Sequence, residues 1–418
     1  MSQYSWKYFA RSGWISQYHH SCEHAHFSKK YFSLWPSYQS QVDPIQKRTV
    51  FLTYHFGRPQ KLVCRNLSSG HPQLDPKHAS RRKKLTFATY LSVAIGVVLL
   101  SATGLRFYGR MKRRAAGVED LQLEEYSFGR RSWLYKYRGF VFPNMFFHQI
   151  RDIHTFDVRE DDIWVVTYPK SGTTWVQEIV YLLMNDLDTE KASRTNISLR
   201  FPYFEFMEPG LKTIAEMPSP RLIKSHLPLS ILPNQIKSKK PKMIYIVRNP
   251  KDVVVSYYSF AMKFLNVVPF NGSFEDYCQL FVSDKVDYGP WWKHVSEAWQ
   301  RKDDDNVLVL FYEDLHLDTH KQVKEIANFL GKSVTDKEVD VIVKYCSFEN
   351  MKLNNSVNYE WMKDAGVANK KVQFMRQGKV GDWKNYLSAD ITKQLDEMMA
   401  TKLPPDLFER ITDSLLED

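Results

Sequence analysis

The 418-residue sequence predicts an α/β fold. Two buried-strand patterns, Ile163-Trp164-Val165-Val166 and Met243-Ile244-Tyr245-Ile246-Val247, each run through a short polar loop into a helical stretch. Further helices are expected at about 316–331, with Val323, Ile326, Ala327 and Leu330 on one face and Gly331 as the stop, and at about 336–345 and 389–401. The chain from residue 139 onward is long enough for one sizeable domain.

The first strand leads into Thr167-Tyr168-Pro169-Lys170-Ser171-Gly172-Thr173-Thr174-Trp175, with Val176 to Leu183 following as helix. Such a junction aims backbone N–H groups and a helix N-terminus at an anion. Lys170 adds an ammonium, and Ser171, Thr173 and Thr174 add hydroxyl donors, so the segment reads as a cradle for a phosphate-like group. Its spacing does not fit the nucleoside-triphosphatase loop, because Lys170 precedes the only glycine. The plainer alternative is an ordinary strand-to-helix turn.

The second strand repeats the geometry. Arg248-Asn249-Pro250-Lys251-Asp252 turns into a helix from Val253 to Phe260, with Pro250 suited to a first-turn position. Arg248, at the strand's end, and Ser256, two turns into the helix, are placed to reach one anion, the guanidinium offering a planar fork to phosphate oxygens. An ion pair of Arg248 with Asp252 is the alternative. Near the C-terminus, Arg376-Gln377-Gly378-Lys379-Val380-Gly381-Asp382-Trp383-Lys384 suggests a loop whose backbone closes over a charged ligand.

Together these three segments resemble the cytosolic sulfotransferase family, and in particular its invertebrate-type members. Arg221-Leu222-Ile223-Lys224-Ser225-His226-Leu227-Pro228 resembles the family's strand with the catalytic histidine, and Phe311-Tyr312-Glu313-Asp314 and Ser347-Phe348-Glu349-Asn350-Met351-Lys352 continue the likeness in order. The resemblance runs from Gly139 to the C-terminus, over two-thirds of the chain. It implies a P-loop-like nucleotide-binding domain over 139–418, with a central parallel sheet and helices on both faces. The implied donor is 3′-phosphoadenosine 5′-phosphosulfate (PAPS), leaving the bisphosphate product PAP, with no metal. Lys170, Ser171, Gly172, Thr173 and Thr174 would hold the phosphosulfate. Arg248, Ser256, Arg376 and Gly378 would hold the 3′-phosphate, and Trp175, Tyr312 and Phe348 would enclose the adenine. His226 would be the general base, a role suited to imidazole. Lys170 would neutralise the leaving group, Ser256 would restrain Lys170, and Lys224 would orient the transferring group.

Three positions depart from the family pattern. Gln377 replaces the usual basic residue beside Arg376, which predicts weaker donor binding. Cys346 replaces a threonine near the adenine. The dimerisation segment reads Lys384…Ser388-Ala389…Lys393, with its final acid reversed in charge, so a homodimer is in doubt. The acceptor pocket expected from the likeness contains Tyr203, Phe206, Phe260 and Tyr288. Such an aromatic cavity suits a small lipophilic phenol, steroid or alcohol, with plain core packing as the alternative. A catalytically silent PAPS- or PAP-binding interaction protein of the same fold is the second functional reading.

The first third of the chain is different in kind. Residues 1–118 hold nineteen Lys and Arg against three Asp and Glu, a net +16, so the remainder carries −5 of the chain's +11. The excess base therefore belongs to the N-terminal segment. It contains no recognition-motif pattern, and nucleic acid is not an expected partner. Residues 1–80 read as disordered, or as an extension that precedes the natural start. Leu85 to Leu105 is an uncharged run of 21 residues within a segment, 81–114, whose flanks are basic. It matches a membrane span, with a buried or interfacial helix as the alternative. Five basic residues flank it on each side within about fifteen residues, so the positive-inside rule chooses no orientation. Residues 115–138 read as a linker. With only Cys278 and Cys346 in the catalytic region, no disulfide framework is expected. The expectation is a cytoplasm-facing domain tethered by one span, or a soluble cytoplasmic one if the N-terminal segment is not part of the mature protein.

Overall fold

The computed structural model describes residues 134–413, apart from 144, 145, 147, 148, 207, 208, 266–269 and 271. They fall in the second of two units into which the chain divides. The stretches read as basic extension (1–80), membrane span (85–105 within 81–114) and most of the linker lie outside the described residues. Among the described residues no helix is long and apolar enough to cross a membrane.

The described chain opens with a hairpin of β1 (Leu134–Tyr137) and β2 (Phe140–Pro143), so β1 lies inside the segment read as linker. Arg138 and Gly139, with φ of 51° and 83°, make its two-residue turn, a backbone twist that suits antiparallel strands. The central sheet holds β3 (Ile163–Thr167), β4 (Leu222–Ser225), β5 (Lys242–Val247) and β6 (Val307–Phe311), all parallel, in the order β4-β3-β5-β6.

Parallel strands are covered on both faces, which is why these four read as near-continuous apolar runs. Alternation along each strand sorts the side chains into two cores. Trp164, Val166, Ile223, Met243, Tyr245 and Val247 enter one, and Ile163, Val165, Leu222, Ile244, Ile246 and Leu310 the other. The second core is closed by α1 (Thr173–Met184), through Val176, Ile179, Val180 and Leu183. The first is closed by α2 (Pro250–Tyr258) and α3 (Trp291–Trp299), through Val253, Val254, Trp291 and Val295. Next along the chain come α4 (Tyr312–Leu317), α5 (Thr319–Leu330), α6 (Asp336–Tyr345), α7 (Phe348–Leu353) and α8 (Ala389–Lys402). The helices expected at 336–345 and 389–401 correspond to α6 and α8. The one expected at 316–331 is instead two, because Asp318 leaves helical geometry to end α4 while its carboxylate caps α5 through the Lys321 N–H.

The starts of β3 and β4 are locked by a buried ion pair. Arg221 Nε and Nη2 donate to the two carboxylate oxygens of Asp162, both at 2.6 Å, with side-chain exposures of 1% and 0%. The Asp157 carbonyl accepts from Arg221 at 2.8 Å, and the Arg159 N–H donates to Asp162 at 2.9 Å. Removing one partner of such a pair leaves an uncompensated buried charge. Arg221→Met should therefore lower unfolding free energy by about 3–5 kcal/mol, and adding Asp162→Leu should recover much of that loss. Urea denaturation of the three variants checks both statements.

Candidate active site

All four strands of the central sheet end on a residue, or lead into a loop, that carries a predicted functional side chain. The register pairs Val166 with Ser225, Thr167 with Ile246 and Val247 with Phe311. The next residues along β4, β5 and β6 are His226, Arg248 and Tyr312, and β3 leads into the Lys170 loop. Ligands of open parallel sheets lie outside these carboxyl ends.

In the first loop Gly172 caps α1 with φ of 98°, and a Cβ there would meet the Tyr312 ring at 2.7 Å. The glycine thus serves both the left-handed turn and the close approach of the aromatic ring. Thr173 is turned inward, its hydroxyl 2.7 Å from that of Thr167, while the buried Ser171 Oγ has no hydrogen-bond partner among the described residues. The Lys170 ammonium lies 4.5 Å from the centre of Phe260 and 4.2 Å from that of Phe374. Burial, then the charges of Lys224, Arg248 and Arg376, lower its pKa to about 7. Among the described residues no hydrogen bond joins Lys170 to Ser256, which sits half-buried on α2.

His226 is held on every side except one. Its Nδ1 lies 2.9 Å from the Thr167 carbonyl, which can only accept, so Nδ1 carries the proton and Nε2 presents a lone pair. The His226 N–H donates to Glu205 at 2.7 Å, and the Ser225 hydroxyl donates to the same carboxylate at 2.9 Å. Burial pushes Glu205 up to about 7, against the pull of these donors. Behind the histidine, Nε2 of His294 lies 3.0 Å from the His226 carbonyl, and His294 Nδ1 lies 2.6 Å from the Tyr245 hydroxyl. Desolvation, aided by the Lys224 charge, holds the His226 pKa well below its usual value. The ring is therefore neutral.

Tyr203 and Tyr288 flank His226 at centroid distances of 5.2 and 6.0 Å, and their hydroxyls meet at 2.8 Å. Phe206 stacks on Tyr203 at 5.3 Å, and the Lys224 ammonium lies 4.4 Å from the centre of the Tyr203 ring. Three of the four predicted pocket residues thus gather around the histidine. Phe260, the fourth, stands on the Lys170 side.

Arg248 packs over Tyr312 at 4.0 Å and donates to the carbonyls of Lys170 and Lys379, each at 3.1 Å. Its contact with Asp252 is 3.9 Å, too long for a hydrogen bond, so the ion-pair alternative holds only loosely. Asp252 has another task. Its carboxylate accepts from the N–H groups of Gly381 at 2.8 Å and Trp383 at 3.0 Å, fastening the C-terminal loop to α2. In that loop Gly378 has φ of 62°, and a Cβ there would lie 2.2 Å from the Phe348 ring. Trp175 meets Tyr312 edge-on at 6.0 Å.

The remaining predicted residues have partners of their own. Arg376 is turned to Asp382 at 2.5 Å and to the Tyr386 hydroxyl at 3.2 Å. Gln377 is exposed, as is Lys379. Cys346 is buried in the core beneath α7, its thiol pKa raised by desolvation. In the segment likened to the family's dimerisation motif, Ser388 caps α8 and donates to Glu275 at 2.8 Å. Sequence reasoning missed Thr167, Glu205, Asp252, His294 and Phe374 as supports of the site. Only Glu205 carried a signal, a carboxylate inside an aromatic run.

The residues fit an anionic nucleotide. Ser171 Oγ, Arg248 Nε, Asn249 Nδ2 and Arg376 Nε are buried donors with no hydrogen-bond partner among the described residues, and all lie in the segments expected to meet PAPS. Replacing Asp252 by Ala should free the loop. Hydrogen exchange at the Gly381 and Trp383 amides is expected to accelerate at least tenfold, while the Thr167 amide stays as in the wild type.

Residues 160–405 match the sulfotransferase domain family. Bovine sulfotransferase 1E1 is 40% identical over 265 residues, covering 62% of this chain and 90% of its own. Mouse sulfotransferase 1B1 is 41% identical over 267 residues, covering 62% and 89%. Among solved structures, retinol dehydratase in complex with androsterone and PAP has a TM-score of 0.62 at 27% identity, covering 69% of this chain and 96% of that one. Mouse sulfotransferase SULT7A1 complexed with PAP has a TM-score of 0.54 at 30% identity, covering 67% and 98%. The chain belongs to the sulfotransferase family, and its enzyme class is that of a PAPS-dependent sulfotransferase.

Proposed function

We propose that this protein transfers a sulfonyl group from PAPS to the hydroxyl of a small lipophilic acceptor, with His226 as general base. The observation that carries this reading is the placement of His226 at the end of its strand, its Nδ1 2.9 Å from the Thr167 carbonyl and its ring flanked by those of Tyr203 and Tyr288. PAPS supplies a sulfonyl group on a phosphate leaving group. Nε2 takes the acceptor's hydroxyl proton as the oxygen bonds to sulfur, a contribution of about 10²–10⁴-fold. Lys170 neutralises the phosphate oxygen released when the sulfur–oxygen bond breaks, and Lys224 orients the transferring group. Ser171, Gly172, Thr173 and Thr174 hold the 5′ end through backbone N–H groups and hydroxyls. Arg248, Ser256, Arg376 and Gly378 take the 3′-phosphate, with Gln377 giving one positive contact fewer. Trp175, Tyr312 and Phe348 enclose the adenine, with Cys346 behind them.

Tyr203, Phe206, Phe260 and Tyr288 form the acceptor wall in this reading. The related retinol dehydratase is described with retinol and with androsterone, both lipophilic alcohols, which supports the acceptor class. We assign residues 139–418 as the catalytic domain and retain the cytoplasm-facing tether through 85–105 as the proposed attachment.

Two measurements test this. With radiolabelled PAPS and a panel of phenols, steroids and aliphatic alcohols, wild type should yield sulfated product. His226→Ala should lose at least 10²-fold in turnover while PAP binding by calorimetry stays within threefold. Loss of turnover and PAP binding together would remove the base assignment, and PAP binding without product from wild type would favour a silent nucleotide-binding role. The second test is pH. Lys170 is cationic below about 7 and loses its charge as pH rises through that value. An anion at the loop favours the charged form, so PAP affinity should fall above pH 7, by at most about tenfold per pH unit. A flat profile from pH 6 to 9 would contradict contact between Lys170 and the bound nucleotide.

A further inference from the structure

Lys170 is the residue expected to meet the donor's phosphosulfate, yet its ammonium lies against two rings rather than any oxygen. Phe374 is at 4.2 Å and Phe260 at 4.5 Å, and the two rings meet edge-on at 5.7 Å. Phe374 is fixed in turn by Phe264 at 5.7 Å and Tyr359 at 4.4 Å, so the box has a firm back wall. The rings come from distant segments. Phe260 lies in the π-helical turn Ser259–Phe264 that extends α2, and Phe374 lies two residues before Arg376. Lys170 itself holds a left-handed backbone, φ of 70°, unusual for a side chain of its size. Among the described residues, no carboxylate or carbonyl accepts from the ammonium. An ammonium partly stripped of water gains from an aromatic face.

We propose that Phe374 and Phe260 are positioning residues for Lys170: they hold its ammonium on the acceptor side of the loop, and an anion bound at the loop competes with them for it. Resting on the donor reading above, this adds a link between the two halves of the site. Drawing the ammonium toward the anion removes a positive charge from the wall that contains Phe260. A lipophilic acceptor then meets uncharged rings. By linkage, an acceptor that favours uncharged rings in turn favours the bound nucleotide.

The test replaces Phe374 in the full chain with mono-, di-, tri- and pentafluorophenylalanine, which weaken the ring's negative face at nearly constant shape, and measures PAP affinity by calorimetry. Affinity should rise with each added fluorine, by roughly two- to thirtyfold across the series, the span of one cation–π contact. The same series at Phe264, which touches the box but not the ammonium, should leave affinity within twofold. Affinity that ignores the fluorine count at Phe374, or that falls with it, would overturn the competition. Failure of every form, wild type included, to bind PAP would overturn the donor reading and this proposal with it.

Discussion

The site depends on the parallel register of four buried strands. Because Thr167, Ser225, Val247 and Phe311 end their strands at a common edge, the residues that follow them are brought to one side of the sheet. A shift of one residue in any strand would turn its side chains to the opposite face. The register is guarded at the opposite edge, where Arg221 and Asp162 join the starts of β3 and β4, and the Ile163 N–H donates to the Arg221 carbonyl at 2.9 Å. The pair lies three residues before Lys224 on one strand and five before Thr167 on the other. It therefore acts on the chemistry by setting how far each strand extends.

Charge is distributed as unevenly as geometry is fixed. Residues 119–418 are net negative, yet Lys170, Lys224, Arg248 and Arg376 lie close enough that the last three lower the pKa of the first. Arg248 and Arg376 have carboxylates beside them in Asp252 and Asp382, whereas Lys170 and Lys224 face aromatic rings. The result is a positive cluster with few internal counter-charges, suited to a nucleotide that carries charge at both ends. The neighbouring His226 stays neutral because burial and this same cluster disfavour a further cation. One electrostatic arrangement thus serves anion binding and keeps the base free of a proton.

The anion-binding elements were legible because their residue types are locally committed. A glycine between a buried strand and an apolar helix, as at Gly172, has few other uses, and Arg248 and His226 directly follow recognisable strands. The supports were not legible, because they act across long sequence separations. Nothing near Thr167 announces that its carbonyl will fix a histidine 59 residues away, and Asp252 reads as a partner for Arg248 rather than as the anchor of Gly381, 129 residues on. Phe374 looks like one apolar residue among many. Arg376 read as a contact for the 3′-phosphate, and nothing in its loop announces that its guanidinium also pairs with Asp382, six residues on. The single helix expected over 316–331 divides at Asp318, whose side chain caps the following turn better than it continues the preceding one. The apolar run 85–105 lies outside the described residues, and its role rests on hydropathy alone.

A crystal structure of the protein with PAP would test the central claim most directly. The expected result places the 5′-phosphate against Lys170, Ser171 and the N-terminus of α1. The 3′-phosphate should lie within hydrogen-bond reach of Arg248 Nε and Arg376, and the adenine between Trp175 and Phe348. His226 Nε2 should remain open toward the space beside Tyr203 and Tyr288. A nucleotide bound elsewhere, or one that leaves Ser171 Oγ and Arg248 Nε without an oxygen partner, would contradict the assignment of these strand ends as the sulfonyl-transfer site.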